Sequence, residues 1–307
     1  MLSGYACAVP AIMAARTIEG SKDRLATIMV VPLMSCSARL PVYTLLIGTF
    51  IPPVLIGGVF NLQGLTLLTM YLLGTIAALA IAGVFKKTLL RGPVQPMIME
   101  LPPYRLPDPR TLFLSVSHRA GLFLRRAGTI ILALSIVLWG LASYPKTELA
   151  SAAPTEAVQE AQLAGSYLGR AGQAVAPVVE PLGYDWKIAV SILSSFAARE
   201  VFVATMGTIY GVGSEADETS LALRDQLRSE TNAAGELAYT PLIALSLMVF
   251  YVFAMMCMST NAVVVRETGG GWTGVKWAAF QFLWMFALAY VAAFAVYRGG
   301  LALGLAG

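Results

Sequence analysis

Three cysteines, Cys7, Cys36 and Cys257, are the side chains in this sequence best suited to bind a transition metal. Each lies within or beside a strongly apolar stretch, whereas the cysteines of a disulfide framework occupy the loops of small secreted domains. A deprotonated thiol is a good ligand for a soft or borderline divalent metal such as Fe(II). The competing interpretation is a small apolar residue packed beside a helix kink.

Pro10 and Pro41 predict interruptions in the helices that carry two of these thiols. Proline has no backbone N–H, and its ring clashes with the carbonyl four residues earlier. The carbonyls of Ala6 and Ser37 should therefore be free. A thiol beside freed carbonyls is able to bind a divalent metal.

Three ionisable side chains, Arg39, Arg199 and Glu200, lie in apolar segments. A charge inside a membrane is costly, so each is expected to line an aqueous path or to have a partner. Suitable pairs are Glu200 with Arg39, or Arg199 with a backbone carbonyl. The alternatives are a purely structural ion pair, and an Arg39 side chain that snorkels to the interface.

Small polar side chains accompany these residues. Ser191 and Ser195 precede the second arginine by eight and four residues, so a continuous helix would place all three on one face. Cys257, Thr260 and Asn261 have the spacing of another shared face, which can line a cation path. The metal-ligand candidates are Cys7, Cys36, Cys257 and Glu200. The pore-lining or gating candidates are Pro10, Ser35, Ser37, Arg39, Pro41, Ser191, Ser195, Arg199, Thr260 and Asn261.

The composition indicates that membrane helices position these residues. Hydrophobic residues make up 57% of the 307 residues and charged residues 12%, and the mean hydropathy is +0.72. These values exclude an ordinary soluble enzyme and predict an all-α, polytopic α-helical membrane protein with broken helices. The expected spans are residues 25–48, 62–85, 127–144, 188–210, 241–264 and 275–298, after a partial stretch at 1–15.

The distribution of charge predicts the orientation. The strongly basic segment 86–126 and the basic turn 15–24 both belong in the cytoplasm. The acidic loop 145–186 suits the external face. Alternation then places loop 211–240 in the cytoplasm although it is acidic, a conflict that a re-entrant segment before it would remove.

Segment 86–126 itself has two parts. ELPPYRLPDP contains too many prolines for a helix and should be an extended connector. TLFLSVSHRAGLFLRR alternates apolar and basic residues at helical spacing, which predicts a helix in the membrane interface before the chain enters the membrane at Ala127.

A weak internal repeat relates the two ends of the chain. Residues 6–20 align without gaps to residues 197–211, and Cys36 then falls opposite Cys257 once the longer second loop is allowed for. Duplicated halves whose broken helices meet near mid-membrane are typical of transporters.

Five stretches together resemble the FeoB family of ferrous iron transporters. They are CAVPAIMAARTIEGSKDRLATIMVVPLMSCSARLPVY, ELPPYRLP, GTIILALSIVLW, PLGYDWKIAVSILSSFAAREVFVATMGTIYGVG and RETGGGWTGVKWA. The resemblance implies two Gate modules, related to nucleoside-transporter gates, that carry Fe2+ across the bacterial cytoplasmic (inner) membrane. Cys7 and Cys257 would be the Gate cysteines, with Cys36 and Glu200 in similar contexts. Met256 stands where we expect the family to have proline, which weakens the prediction of an equal helix break at Cys257.

The resemblance also implies a division of the chain. Residues 1–60 would be the first Gate module, truncated at its start, and 61–126 a FeoB C-terminal-type span with the connector and interfacial helix. Residues 127–265 would be the second Gate module, with loops 145–186 and 211–240, and 266–307 the final helix and tail.

No GxxxxGK[ST] motif is present, although FeoB proteins normally begin with a GTP-binding domain. We therefore expect no enzyme activity, no catalytic residue and no permanent cofactor, with Fe2+ as substrate and GTP bound only by a separate or missing G domain. The chain would be a fragment or a split subunit. Other expected partners are the lipid bilayer and a second copy of the chain, but no nucleic acid. The alternatives are a nucleoside or other solute transporter of Gate architecture, and a non-transporting membrane scaffold.

Overall fold

The computed structural model describes residues 2–56, 60–91, 106, 108–145, 156–212, 217–231 and 237–304. The described chain is built from α-helices, as predicted. Its one paired sheet is a two-residue antiparallel ladder between β1 (Leu55–Ile56) and β2 (Phe60–Asn61).

Fourteen α-helices follow one another in the described chain. They are α1 (Ala8–Ala14), α2 (Ser21–Val30), α3 (Leu40–Phe50), α4 (Leu62–Lys87), α5 (Pro109–Phe123), α6 (Thr129–Ser143), α7 (Glu156–Gly165), α8 (Tyr167–Val179), α9 (Trp186–Ser194), α10 (Val201–Ile209), α11 (Leu221–Ser229), α12 (Pro241–Phe253), α13 (Met258–Glu267) and α14 (Gly271–Ala302).

Among the described residues, four helical segments are long and apolar enough to cross a membrane, and α6 is a shorter apolar helix. Two of the four, α4 and α14, are continuous, and their outward faces are apolar, as a lipid environment requires. These faces expose Leu65, Leu68, Leu72, Ile76, Leu79, Leu283 and Val291. The other two segments, Ser21–Phe50 and Pro241–Glu267, are broken near their middles.

The predicted crossing at 188–210 is wrong, because α9 and α10 form a re-entrant hairpin. α9 ends at Ser194, the chain turns, and α10 begins at Val201. The ammonium of Lys187, at the start of α9, lies 4.8 Å from the ring centroid of Tyr210, just after α10. Both ends of the hairpin therefore lie on the same face of the protein.

This hairpin removes the conflict over the acidic loop 211–240. The hydroxyl of Tyr210 donates to Tyr239 (2.7 Å), which donates to Asp185 (3.0 Å), so the loop begins and ends beside the start of α9. Burial raises the pKa of the Asp185 carboxyl, which also accepts from the N–H of Ile188 (2.8 Å). Alternation fails here because the segment before the loop does not cross the membrane.

The opposite, basic face is formed as the charge pattern predicts. Arg16 and Glu267 form an ion pair of 2.6 Å, and Lys86 lies 3.3 Å from Asp23. The turn before α2 therefore shares a face with the end of α4 and the end of α13. The end of α3 lies on the other face, where Arg228 donates to the carbonyl of Thr49 (2.6 Å).

The two modules consequently have opposite orientations. The helices α1, α2 and α3 of the first module correspond, in the same order along the chain, to α10, α12 and α13 of the second. However, α2 begins on the basic face and α12 on the acidic face, while α3 and α13 end on the acidic and basic faces respectively. The weak repeat in the sequence is thus an inverted structural repeat, an arrangement typical of transporters.

α5 and α6 join without the predicted change at Ala127. A π-helical turn at Leu124–Gly128 connects them into one continuous helical segment. Asp108 caps α5 by accepting from Thr111, and these hydrogen bonds hold the pKa of its carboxyl below the usual range. Most of the proline-rich connector lies outside the described residues.

The re-entrant hairpin can be tested by labelling from outside intact cells. In a background with the three native cysteines changed to serine, Leu221→Cys should react with a membrane-impermeant maleimide, because its position is 73% exposed on the acidic face. Thr88→Cys, exposed at the basic end of α4, is the matched control and should react only after permeabilisation. Labelling of both from the same side would show that 188–210 crosses the membrane.

Candidate metal path at the helix breaks

In the described residues, four interruptions of the helices lie close together: the break between α2 and α3, the break between α12 and α13, the hairpin turn, and the segment before α1. The N–H of Met258, in the break between α12 and α13, donates to the carbonyl of Phe196 in the hairpin turn (3.2 Å). The hydroxyl of Ser37, in the break between α2 and α3, donates to the carbonyl of Ala6, just before α1 (2.9 Å). α1 also packs against α13, which brings the two modules together.

Each cysteine immediately precedes a helix at one of these interruptions. Cys7 is the N-cap of α1, Cys36 the N-cap of the 3₁₀ turn leading into α3, and Cys257 the N-cap of α13. All three have extended backbone conformations and half-buried, unbridged thiols. The thiols are close enough that charge on Cys36 or Cys257 acts on Cys7. The positive end of each helix dipole points at the thiol and favours negative charge there.

The doubted break at Cys257 is present although Met256 replaces proline. The chain leaves the helix after Phe253 and re-enters it at Met258. The guanidinium of Arg199 donates to the carbonyl of Ala254. The carbonyl of Phe196 accepts from the N–H of Met258. The hairpin turn therefore binds backbone groups on both sides of the break, which stabilises it without a proline.

Pro10 and Pro41 occur near the starts of helices, whereas the sequence predicted that they interrupt helices. Pro10 and Pro41 lie in the first turns of α1 and α3, where a missing N–H costs little. The carbonyl of Ala6, opposite Pro10, is free of the helix, as predicted, and accepts from Ser37. The carbonyl of Ser37 is not free, because it accepts from the N–H of Leu40.

Both arginines are buried, and both bind backbone carbonyls. Arg39 is fully buried and donates to Pro32 (3.1 Å), Leu33 (3.2 Å) and the Ser35 hydroxyl (3.3 Å). It does not snorkel to an interface. The proposed pairing of Arg39 with Glu200 is wrong, because Glu200 is exposed at the start of α10 while Arg39 points its guanidinium at carbonyls.

Arg199 has the carbonyl partners that the sequence predicts. It donates to Ala254 (3.1 Å) and Tyr251 (3.4 Å) at the end of α12. The predicted helical face of Ser191, Ser195 and Arg199 is wrong, because α9 ends before the last two. Ser195 nevertheless contacts the same Tyr251, hydroxyl to hydroxyl at 2.8 Å, whereas Ser191 donates only to its own helix.

The face formed by Cys257, Thr260 and Asn261 is present. The N–H groups of Thr260 and Asn261 both donate to the carbonyl of Cys257, at 3.1 and 3.3 Å. The side-chain oxygens of Asn261 and of the neighbouring Ser259 are buried without a hydrogen-bond partner. These atoms are candidate oxygen ligands beside the thiol. Among the described residues, no three His, Cys, Asp or Glu side chains are close enough to form a single metal cage.

α4 contributes to this region in a way that the sequence analysis missed. The hydroxyl of Tyr5 contacts that of Thr75 at 2.7 Å. A side chain at Gly74 would lie 3.0 Å from the Ser35 hydroxyl and 3.1 Å from the Leu33 carbonyl. The spacing of Gly74 and Ala78, two small buried residues on one face, is the signal that predicts such close helix packing.

This architecture is that of a polytopic membrane protein containing Gate modules. The Gate family, described as nucleoside recognition, matches residues 1–50 and 124–271, and the family of the ferrous iron transport protein B C terminus matches residues 67–119. No solved structure matches.

Several curated relatives are similar over almost the whole chain. The Fe(2+) transporter FeoB of Leptospira biflexa is 44% identical over 99% of this chain and 43% of its own length. A Fe(2+) transport protein A/Fe(2+) transporter FeoB fusion protein of Porphyromonas gingivalis is 40% identical over 98% of this chain and 37% of its own length. The Fe(2+) transporter FeoB of Methanocaldococcus jannaschii is 36% identical over 96% of this chain and 40% of its own length. The chain belongs to the FeoB family. It spans less than half the length of these relatives.

The close contact at Gly74 predicts that Gly74→Val destabilises the protein by about 1–3 kcal/mol, because the added atoms would displace Ser35 and Leu33 at the break. Gly83→Val is the matched control in the same helix, since no atom lies within 4 Å of its added Cβ. Thermal unfolding of the purified protein in detergent measures both. Equal shifts in the two variants would contradict the packing argument.

Proposed function

We propose that this chain forms the path by which Fe2+ crosses the bacterial cytoplasmic membrane. The observation that carries the proposal is the placement of Cys7, Cys36 and Cys257, all half-buried, at three interruptions of the helices that lie close together. Thiolates are ligands for Fe(II), and breaks at membrane depth are tolerated where they line a path. The similarity to Fe(2+) transporters supports the same ion.

The charges around the thiols determine which ligands the ion needs. Arg39 and Arg199 place positive charge near Cys36, and Glu200 is exposed. A dication there is repelled unless negative ligands accompany it. The proposed carriers of that negative charge are thiolates, assisted by oxygens such as that of Asn261.

The ligands are proposed to act in succession. A path that both admits and releases an ion needs several weak sites rather than one tight cage. In the described residues the thiols belong to separate elements, and no cage is formed. Fe2+ would exchange water for ligands at one break and pass to the next, towards the basic face.

The same proposal includes a GTP-binding domain or subunit as the regulatory partner of this chain. The chain itself would hold no permanent cofactor and perform no catalysis. A nucleoside substrate is the rival suggested by the Gate match. Thiols at the breaks favour a metal, and excess nucleoside should leave Fe2+ uptake unchanged.

Replacement of the thiols tests the proposal. Cys7→Ser and Cys257→Ser should each lower uptake of radioactive Fe2+ by about tenfold or more, because a hydroxyl is a much poorer ligand for Fe(II), and each 1.4 kcal/mol lost in binding is a factor of ten. Uptake is measured under reducing conditions in cells that express the chain in its native genetic context.

Ser143→Ala, at the outer end of α6, controls for the loss of a small polar side chain, and membrane abundance is measured for every variant. Normal uptake in both cysteine variants at normal abundance would refute the ligand assignment.

A further inference from the structure

The two buried arginines bind equivalent carbonyls in the two modules. The repeat places Cys36 opposite Cys257, so the residues three positions earlier, Leu33 and Ala254, also correspond. Arg39 donates to the first carbonyl at 3.2 Å, and Arg199 donates to the second at 3.1 Å. Each guanidinium also binds a second carbonyl in the last turn of the same half-helix.

These arginines do not correspond to each other in sequence. The position equivalent to Arg39 in the second module is Thr260, and the position equivalent to Arg199 in the first module is Ala8. Arg39 reaches the carbonyls from its own broken segment, whereas Arg199 reaches them from the hairpin turn. The two modules thus make the same contact with residues from different elements, which indicates a requirement at the carbonyls themselves.

Exposed carbonyls at the C-terminal end of a half-helix are suitable ligands for hard cations. Unwound carbonyls and the negative end of the helix dipole bind Na+ in other transporters, and K+, Ca2+ and Mg2+ likewise prefer oxygen ligands. Here a guanidinium donates hydrogen bonds to these carbonyl oxygens and places a positive charge at the negative end of the half-helix. The thiols lie across each break, at the N-terminal end of the next half-helix.

We propose that Arg39 and Arg199 determine the ion selectivity of the path by denying these carbonyls to hard cations. Only a metal that gains from thiolate coordination then has a favourable site. This inference rests on the proposed transport of Fe2+. Both arginines are positioning residues, because they act through the carbonyls and touch no ion.

A purely structural role for the guanidiniums predicts something different. Capping alone would stabilise the break, and its loss would lower uptake of all ions equally. Gln281 provides the matched control, because it is fully buried and its amide donates to the carbonyls of Ile28 (3.1 Å) and Met29 (2.9 Å) at the end of α2, one turn before the carbonyls that Arg39 binds. Gln281→Leu removes a similar cap without freeing the carbonyls beside the thiols.

The experiment measures Fe2+ uptake in competition with Mg2+, Ca2+ and Mn2+, in cells that express the chain in its native genetic context. Arg39→Gln and Arg199→Gln should lower the inhibition constants for Mg2+ and Ca2+ by about tenfold or more relative to wild type, which corresponds to 1.4 kcal/mol of added affinity. Gln281→Leu should leave the ratio of these constants unchanged, even if uptake falls.

Lysine variants keep the test decisive if the glutamine variants fail to accumulate. Arg39→Lys and Arg199→Lys retain the charge but cannot hold two carbonyls at once, so hard-cation inhibition should strengthen in the same direction by a smaller factor. Unchanged selectivity in the arginine variants that accumulate would overturn the inference. Failure of the wild-type chain to support Fe2+ uptake would instead overturn the proposed function.

Discussion

A helix broken inside a membrane leaves backbone carbonyls and N–H groups with no water to bind, and each unsatisfied group costs several kcal/mol. The architecture of this chain follows from the way in which it satisfies them. Two buried guanidiniums bind the carbonyls that end α2 with its 3₁₀ turn and α12. Ser37 and Phe196 complete the contacts between one broken element and the next.

These contacts explain why the modules must meet. The second break depends on Arg199 from the hairpin, and Ser37 in the first break donates to the carbonyl of Ala6, the residue before Cys7. The three thiols lie close together because each one immediately precedes a helix at one of these interruptions. Inverted orientation then allows each module to present an equivalent break at a similar depth from opposite faces.

The sequence predicted features that depend on local chemistry. The lipid-exposed helices, the freed carbonyl of Ala6 and the carbonyl partners of Arg199 follow from apolar runs, proline geometry and the cost of a buried charge. The re-entrant hairpin was not predicted as the leading topology, because hydropathy alone cannot distinguish two short helices from one crossing. The break at Cys257 was underestimated since its stabilising contacts come from residues about sixty positions earlier in the chain.

α4 has a mechanical consequence for the first break. It contacts Ser35 and Leu33 at Gly74, near its middle, and its basic end is held by the contact between Lys86 and Asp23. Twelve residues separate Gly74 from Lys86, a distance of roughly 18 Å along a helix. Because α4 is continuous between these points, a tilt imposed at the basic face would change the space around the Leu33 carbonyl.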